Sequence, residues 1–344
     1  MFSHPNWFEI AGLFILALAL TAPLSIAQES GSRRELAEAT PVLWRDPGNI
    51  NKRDLRYGPG SRRLAPVPPY RFIEEDKGGA SPKFSLKDRR GVNWVVKLGE
   101  EAPAETFATR LVWAVGYFAE EAYFFDRITV RNLPRLSRGT QFVEGNSVVR
   151  RVRLEPRRKH IERGERWDWD KNPFAGTREL DGLKVIMILL NNYDTRPENN
   201  RIFYVNNGRR REAQYVVTDL GATLGRAGGL GGRRSKNNLA DFLSTRFVLG
   251  VEDGVVKFDY DTRPTGLGML SIVHVPYYLS QVKKEKSMRG ITVEHARWIG
   301  GLLSQLSDIQ LREGFQAAGY KGAIRESYVM ELRARINQLK NLRG

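Results

Sequence analysis

Between residues 72 and 154 the chain alternates short apolar runs with turn-forming residues, a pattern that predicts β-strands. Glycine-containing turns at 78–79 and 88–91 separate the first three runs. Apolar residues then recur at helical spacing from about 104 to 119. The strands predicted in this region cover residues 72–75, 83–86, 94–97, 122–125 and 147–154. We therefore expect a sheet whose strands are interrupted by one helix.

Helical spacing dominates the second half of the chain. One helix begins at Thr177, and its end is apolar on every side, which predicts that it is buried in a core. The elements predicted here are helices over 177–190, 293–308 and 322–342 and strands over 201–205 and 214–218. A β-rich first half followed by a mostly α second half predicts an α+β fold.

The N-terminal region has the features of a targeting segment. Residues 11–27 carry no charge and end in Ser25-Ile26-Ala27, the small residues that a signal peptidase reads. This stretch contains Pro23 and is shorter than the roughly 20 residues of a membrane span. We expect a cleaved signal peptide over 1–27, with cleavage after Ala27 and a periplasmic or secreted protein without a further span. The alternative is an uncleaved N-terminal membrane anchor, which the absence of Lys or Arg before the apolar run keeps open.

Residues 28–70 differ in composition from the rest of the chain. They are polar and basic, and prolines punctuate them from Pro41 to Pro69. Such a segment predicts an irregular arm rather than a folded layer. Leu43, Trp44 and Tyr57 are the residues through which we expect this arm to pack across the domain.

Composition excludes several classes of function. The 344 residues include 55 Lys plus Arg, 39 Asp plus Glu and no cysteine, and 41% are hydrophobic, which is a globular composition. Without cysteine there are no disulfides, zinc–thiolate sites or thiol catalysis. The formal charge of +16 favours an acidic partner, either an acidic protein or small-molecule acceptor or an anionic envelope polymer. No RNA or DNA motif accompanies the basic clusters, so we expect no specific nucleic acid.

Three separated features carry residue types that make chemical sense together. Lys97 ends an apolar strand, the segment 194–200 follows the buried helix, and Asp219-Leu220-Gly221 ends a later strand. Phosphoryl transfer needs a cation on the nucleotide phosphates, a carboxylate beside the attacking hydroxyl, and Asn and Asp oxygens on Mg²⁺. These three features contain all of those groups.

At these residues the chain resembles the protein-kinase-like superfamily, and within it the HipA-like atypical kinases. Asp194-x-x-Pro-Glu-Asn199 resembles a catalytic loop, and Asp219-Leu220-Gly221 resembles the metal-binding motif. The segment 78–84, followed by Trp94-Val95-Val96-Lys97, is similar to the Gly-rich segment and nucleotide-lysine strand of that family. The resemblance covers about residues 72–225.

The resemblance implies roles for the catalytic side chains. Lys97 would hold the nucleotide phosphates, and Glu105 would orient it. Glu105 lies only 8 residues after Lys97, so Glu101 competes for this role. Asp194 would accept or position the proton of the attacking hydroxyl.

The resemblance also implies ATP and Mg²⁺ as ligands. Asn199 and Asp219 would hold Mg²⁺. Backbone amides around Gly79, Ala80 and Ser81 would cover the phosphates of ATP. The acceptor would be a hydroxyl of a protein or of a small molecule.

The resemblance implies a two-lobed, kinase-like arrangement. The N-lobe would cover residues 71–155, with strands and one helix, and the mostly helical C-lobe would cover 156–344 and carry the catalytic and metal loops. The expected function is an exported atypical kinase-like protein, an ATP-dependent phosphotransferase. The alternative is a catalytically inactive kinase-like module that binds an anionic ligand or an envelope protein.

Each motif also has a structural interpretation. Asp194 and Asn199 are common turn residues, and Asp219-Leu220-Gly221 could be a turn that ends a strand. Lys97 could be a lysine that protects an edge strand. These interpretations predict separated, solvated side chains, whereas a phosphotransfer site requires them to lie together.

Overall fold

The computed structural model describes residues 39–79, 81–208, 210–230, 234–262, 264–265 and 275–343. The predicted signal peptide, the start of the arm and Ala80 lie outside the described residues. In the described ranges the chain forms seven α-helices and fourteen strands, so the fold is a mixed α+β fold, as predicted. No helix in these ranges is long and apolar enough to cross a membrane.

The strands of the described chain vary from two to nine residues in length. They are β1 (Thr40–Val42), β2 (Tyr70–Asp76), β3 (Lys83–Lys87), β4 (Asn93–Leu98), β5 (Tyr123–Arg131), β6 (Val143–Glu144), β7 (Val148–Pro156), β8 (Glu162–Arg163), β9 (Asn200–Asn207), β10 (Arg210–Val217), β11 (Gly229–Leu230), β12 (Val248–Glu252), β13 (Val255–Phe258) and β14 (Pro264–Thr265).

The helices lie mainly in the second half of the chain. They are α1 (Glu101–Ala114), α2 (Arg178–Leu189), α3 (Leu239–Ser244), α4 (Val275–Ser287), α5 (Val293–Ser304), α6 (Asp308–Ala317) and α7 (Gly322–Lys340). Short 3₁₀ turns cover Ile50–Lys52, Thr140–Phe142 and Pro197–Asn199.

The larger sheet closes on itself. Its strand order is β4-β3-β2-β5-β7-β6, and an additional pairing of β4 with β7 joins the first and fifth strands into a ring. Because side chains alternate across a strand, Trp94 and Val96 point into the apolar interior of this ring. Lys97 lies on the opposite face of β4 and pairs with Arg153 of β7. Strand β4 therefore places Trp94 and Val96 in the core on one face and the predicted site residue Lys97 on the other.

A second apolar cluster joins the helices to the sheet β1-β10-β9-β8. The apolar end of α2 is fully buried in it, as its sequence predicts. Helix α1 lies between β4 and β5 of the larger sheet in the chain, but its apolar residues pack here, where the rings of Phe107 and Phe315 stack with centroids 3.5 Å apart. Helix α1 therefore contacts both the second apolar cluster, through Phe107, and strand β4 of the larger sheet, through Glu105.

The described part of the arm is built into the fold. Strand β1 pairs with β10, and Leu43 is buried in the helical cluster. The indole nitrogen of Trp44 donates to the carbonyl of Val115 at 2.7 Å. Gln310 of α6 donates to two carbonyls of the arm, and one of them belongs to Ile50. This segment is anchored by both backbone and side-chain contacts.

Two helix boundaries differ from the sequence prediction. Helix α1 ends at Ala114 rather than near 119, because Gly116 has a φ of +102° and a Cβ there would clash with the carbonyl of Arg45. The predicted helix over 293–308 is divided, since Ser307 forms a capping box with Gln310 and begins α6. The first difference arises from a close backbone contact with the arm and the second from a local helix cap, and apolar spacing reports neither.

We predict that Phe107→Ala destabilises the protein strongly. The change removes a fully buried ring stacked on Phe315 and leaves a cavity, so the free energy of unfolding falls by about 3–5 kcal/mol. Ile309→Ala is the control, because that side chain is 67% exposed and its loss should change stability by less than about 0.5 kcal/mol. Urea denaturation measures both. Similar losses in the two variants would contradict this packing.

Candidate active site

One buried ammonium group joins three carboxylates. Lys97 is 6% exposed, and its Nζ lies 2.8 Å from Glu105 Oε2, 3.1 Å from Asp219 Oδ1 and 3.3 Å from Glu101 Oε2. The two glutamates come from α1, one turn apart, and the aspartate follows β10. Both glutamates that the sequence offered as partners therefore contact Lys97, and Glu105 makes the shorter contact.

These contacts hold Lys97 and Glu101 in their charged forms, whereas burial raises the pKa of Glu105 above its ordinary value. Burial acts to lower the pKa of Lys97, but the carboxylates, above all Glu105, raise that pKa above its ordinary value. Burial acts in the opposite sense on Glu101, yet Lys97 and Lys236 lower the pKa of Glu101 to about 2. Lys97 is thus a permanent cation over the physiological pH range.

The polar network continues along the outer face of β7. Arg153 is 3% exposed, and its Nη2 lies 3.6 Å from Glu105 Oε1, while its Nη1 donates to Glu155 at 3.0 Å. Beyond Glu155 lies a cavity of about 820 Å³, which Arg157 and Phe203 help to line. Charges of alternating sign therefore connect Lys97 with the rim of this cavity.

The predicted catalytic loop and metal loop are tied together through Asn199. Its side-chain amide donates to the carbonyl of Asp194 at 2.6 Å. Its own carbonyl accepts from the backbone nitrogens of Thr218 at 2.8 Å and of Asp219 at 3.3 Å. Asn199 is 8% exposed, so this junction is buried. Because Asp219 also contacts Lys97, the four polar residues of the predicted site belong to one contact network.

Two cations surround the Asp194 carboxylate. Arg196 donates to both of its oxygens, from Nε at 2.6 Å and from Nη2 at 2.8 Å, and Lys284 Nζ lies 3.5 Å from Oδ1. Burial acts to raise the pKa of Asp194, but Arg196 and Lys284 outweigh it and hold that pKa below its ordinary value. Asp194 is therefore an ionised carboxylate.

Gly221 lets the loop after β10 approach α1. Its backbone nitrogen donates to Asp219 Oδ1 at 3.1 Å. A Cβ at this position would lie 2.9 Å from Glu101 Oε2 and 3.0 Å from Glu101 Cβ, so Glu101 would have to shift to admit a side chain. The glycine of the Asp-Leu-Gly motif thus allows a close contact with the glutamate that also binds Lys97.

The predicted phosphate-covering segment meets the site at one end. Ser81 Oγ donates to Glu101. Gly79 has a φ of +68°, and its carbonyl accepts from Arg138 at 2.6 Å. Ala80 lies outside the described residues, so the segment is defined only on either side of it. Ser81 joins the Lys97 network, whereas Gly79 is held by Arg138.

The structure adds residues that the sequence did not indicate. Lys284 comes from α4, Lys236 pairs with Glu101, and Arg153 links Glu105 to β7. The register of β4 against β7 could have indicated Arg153, because it lies opposite Lys97. No sequence signal indicated Lys284, since its proximity to Asp194 depends on how α4 packs 90 residues later.

The oxygen donors near Lys97 are of the type that Mg²⁺ takes. Asp219 offers a carboxylate and Asn199 an amide oxygen, which are hard ligands. Across the ranges that the structure describes, no group of three or more His, Asp or Glu side chains could hold a metal ion by itself. This donor set fits Mg²⁺, which commonly takes one or two protein oxygens and completes its shell with phosphates and water.

No family model and no curated protein matches the chain. Among solved structures, the chain is similar to a crystal structure of a Helicobacter pylori proinflammatory kinase CtkA, with 14% sequence identity and a TM-score of 0.40. The match covers 78% of this chain and 92% of that chain. A TM-score this low does not establish a shared activity or substrate.

We predict that Glu105→Gln and Glu101→Gln differ in their effect on stability. Glu105 is 1% exposed and lies between Lys97 and Arg153, so its neutralisation leaves buried cations poorly compensated and lowers the free energy of unfolding by about 3–5 kcal/mol. Glu101→Gln should lower the free energy of unfolding clearly less, because Glu105 and Asp219 still compensate the charge of Lys97. Urea denaturation gives both values. An equal or larger loss in Glu101→Gln would assign the main pairing role to Glu101 instead.

Proposed function

We propose that this protein is an exported, atypical kinase-like phosphotransferase that binds Mg-ATP and transfers its terminal phosphoryl group to a hydroxyl of a protein or small molecule. One observation carries the proposal. A buried lysine, a carboxylate after a strand, and an Asp and Asn from one loop form a single contact network through Lys97, Asp219, Asn199 and Asp194. Separate turns with solvated side chains would not require such a network.

The chemistry of each group follows from its charge. The Lys97 ammonium, together with amides near Ser81, would bind the nucleotide phosphates, and Asn199 and Asp219 would hold Mg²⁺. When bound, Mg²⁺ supplies positive charge that offsets the charge of the phosphates. The ionised Asp194 would accept the hydroxyl proton. The hydroxyl oxygen forms a bond to the γ-phosphorus, the bond from that phosphorus to the bridging oxygen breaks, and ADP leaves.

The two-lobed arrangement is part of the same proposal. Residues 71–155 would form the N-lobe and 156–344 the C-lobe of a kinase-like fold of the HipA-like type. Helix α1 would then carry the glutamates that orient the nucleotide lysine, which agrees with their contacts to Lys97. The cavity beyond Glu155 has a volume within the usual range for small-molecule sites and offers a place for the nucleoside.

A second candidate function is an inactive kinase-like module that binds an anionic ligand or an envelope protein. The observation that favours it is the bidentate pairing of Asp194 with Arg196, which occupies both oxygens of the proposed base. Catalysis would require Arg196 to release one of these oxygens. In the inactive module Arg196 would stay hydrogen-bonded to both carboxylate oxygens of Asp194.

We predict that full-length protein shows a Mg²⁺-dependent rise in its thermal unfolding midpoint with ATP, and that Asp219→Ala abolishes this rise. The physical reason is that Asp219 is both a proposed Mg²⁺ ligand and a partner of Lys97. Asp126→Ala is the matched control, because Asp126 is exposed and pairs with Lys321 at the surface. The absence of a shift with any nucleotide at millimolar concentration would contradict the proposed catalysis.

Asp194→Asn separates the enzyme from the inactive module. It keeps the size of the side chain but removes the proton acceptor, so ATP binding should persist while phosphoryl transfer falls by roughly 100-fold or more. Transfer from γ-labelled ATP to the protein itself or to added hydroxyl compounds measures the loss. If the wild-type protein binds Mg-ATP but transfers no label, and Asp194→Asn behaves in the same way, the second candidate is favoured.

Export is tested by the cell fraction in which the protein is found and by the mass of the purified protein, which shows where its N-terminus lies. Expression in a bacterial host followed by fractionation should place the protein outside the cytoplasm, with Gln28 as its first residue. A protein that is intact at its N-terminus and found in the membrane fraction would favour the anchor instead. An intact protein in the cytoplasm would contradict export altogether.

A further inference from the structure

Three cationic side chains stand side by side on the outer face of the larger sheet. Arg71 of β2 lies opposite Lys87 of β3 on one side and opposite Arg131 of β5 on the other, and all three are exposed. The residues that precede Lys87 and Arg131, which are Leu86 and Val130, point into the apolar interior. Because side chains alternate across a strand and neighbouring strands lie about 4.8 Å apart, the three cations form a row that spans roughly 10 Å. We call these three residues the cationic row.

The charge of the cationic row is not compensated by ion pairs. Like charges directly opposite each other on neighbouring strands are unfavourable. In the described ranges no carboxylate forms an ion pair with these three side chains or with that of Arg89, which follows β3 in the turn to β4. Other cations on the same strands do have partners, since Arg127 of β5 lies 2.7 Å from Glu144 and Lys83 of β3 lies 3.2 Å from Asp76. The row is therefore a place where positive charge accumulates.

A cavity of about 440 Å³ opens beside the cationic row. Its lining includes all three residues of the row and also Arg89. Among the described residues that line it, Asp88 is the only acidic one. The volume lies within the about 300–1,000 Å³ of sites that take small molecules. The cavity thus offers space for a ligand that contacts several cations at once.

Asp88 does not pair with these cations. Its side chain is fully buried, and Oδ1 accepts from the backbone nitrogens of Arg90 at 2.9 Å and of Val92 at 3.0 Å. Oδ2 accepts from the backbone nitrogen of Val67 at 3.3 Å and lies 3.6 Å from Arg90 Nε. The donors of Asp88 therefore belong to its own turn and to the arm. Even with its charge counted, the described lining has three more positive than negative charges.

We propose that the cationic row, together with Arg89, binds a ligand that carries two or more phosphate groups. Guanidinium groups present paired N–H donors that match phosphate oxygens, and three of these four cations are arginines. A row of roughly 10 Å is longer than one phosphate can bridge, so two or more phosphates are needed to contact all of it. Bound phosphates place negative charge between the opposed cations and offset their mutual repulsion.

The cationic row is separate from the proposed phosphotransfer site. Lys87 lies opposite Asn93 of β4, and Asn93 precedes Lys97 by four residues on that strand. Four residues of a strand span about 13 Å. The phosphate ligand therefore binds at a second site, and its binding does not require phosphotransfer activity.

The test titrates full-length protein with inorganic pyrophosphate and, separately, with citrate, in the absence of nucleotide and Mg²⁺. Chloride keeps the ionic strength constant, and binding is followed by titration calorimetry and by the thermal unfolding midpoint. We expect saturable binding of pyrophosphate that is tighter than that of citrate and raises the midpoint. Citrate carries its negative charge on carboxylates, so equal or tighter binding of citrate would contradict a phosphate site.

A second arm shows whether the phosphates belong to a soluble molecule or to lipid headgroups. Sedimentation with phosphatidylglycerol vesicles measures binding to lipid phosphates that carry a net charge, and vesicles of phosphatidylcholine are the comparison because their headgroups are neutral. Retention on phosphatidylglycerol alone, without saturable binding of pyrophosphate, would assign the phosphates to a lipid surface. Saturable binding of pyrophosphate would assign them to a soluble ligand.

Substitutions locate the binding. Arg71→Gln removes the middle charge of the row, and it should weaken binding roughly ten-fold or more. The change is at an exposed position and also removes repulsion, so the variant should fold. Arg131→Gln is a second variant with the same expected effect. Arg127→Gln is the matched control, because Arg127 lies on the same strand as Arg131, is 62% exposed and pairs with Glu144. It should leave binding unchanged.

The outcomes also separate this site from the proposed phosphotransfer site. Binding to neither pyrophosphate nor phosphatidylglycerol would overturn the proposal, as would binding that Arg71→Gln and Arg127→Gln weaken equally or that Arg71→Gln leaves unchanged. The Mg²⁺-dependent thermal shift with ATP should persist in Arg71→Gln, because the row lies away from Lys97. Failure of the wild-type protein to bind ATP, with binding at the row intact, would remove the phosphotransfer proposal and keep the phosphate site.

Discussion

The buried ammonium of Lys97 is the constraint on which the arrangement of this protein depends. A lysine removed from water must be compensated by opposite charge. Here the two glutamates come from helix α1, which follows β4 directly, and Asp219 comes from the loop after β10, more than 100 residues later in the chain. The same contacts therefore place α1 against β4 and bring the Asp219 loop to both. The larger sheet and the helical part meet at a polar junction, with an apolar cluster on either side of it.

This junction is supported by apolar packing on the far side of each element. The strand that carries Lys97 turns Trp94 and Val96 into the interior of the closed sheet. Helix α1 carries Glu105 on one face and packs Phe107 against Phe315 on another. Charged side chains in such surroundings keep their positions because the backbone beneath them cannot shift without opening a core. That rigidity fixes the positions of Lys97 and Glu105 relative to each other.

Much of the architecture could be predicted from spacing and turn chemistry. The strands around Lys97 appear at the predicted places, and Thr177 caps α2 through its side chain. The predictions were wrong at helix ends, where one backbone contact overrides the apolar spacing. The end of α1 is an example, because Gly116 lies against the backbone of the arm. For the site, the residue types at four positions predicted that their side chains lie close together, and the four residues do belong to one contact network: Lys97, Asp194, Asn199 and Asp219. Their chemical roles remain proposals.

The sequence by itself determined the α+β class, the strand that carries Lys97 and the carboxylates available to it, because alternation and local spacing are properties of neighbouring residues. The tertiary structure decided that both Glu101 and Glu105 reach Lys97, since they lie one turn apart on the side of α1 that faces β4. It also decided that Lys284 stands beside Asp194. Contacts between residues 90 or more positions apart depend on how the elements pack, and a linear pattern does not contain that information.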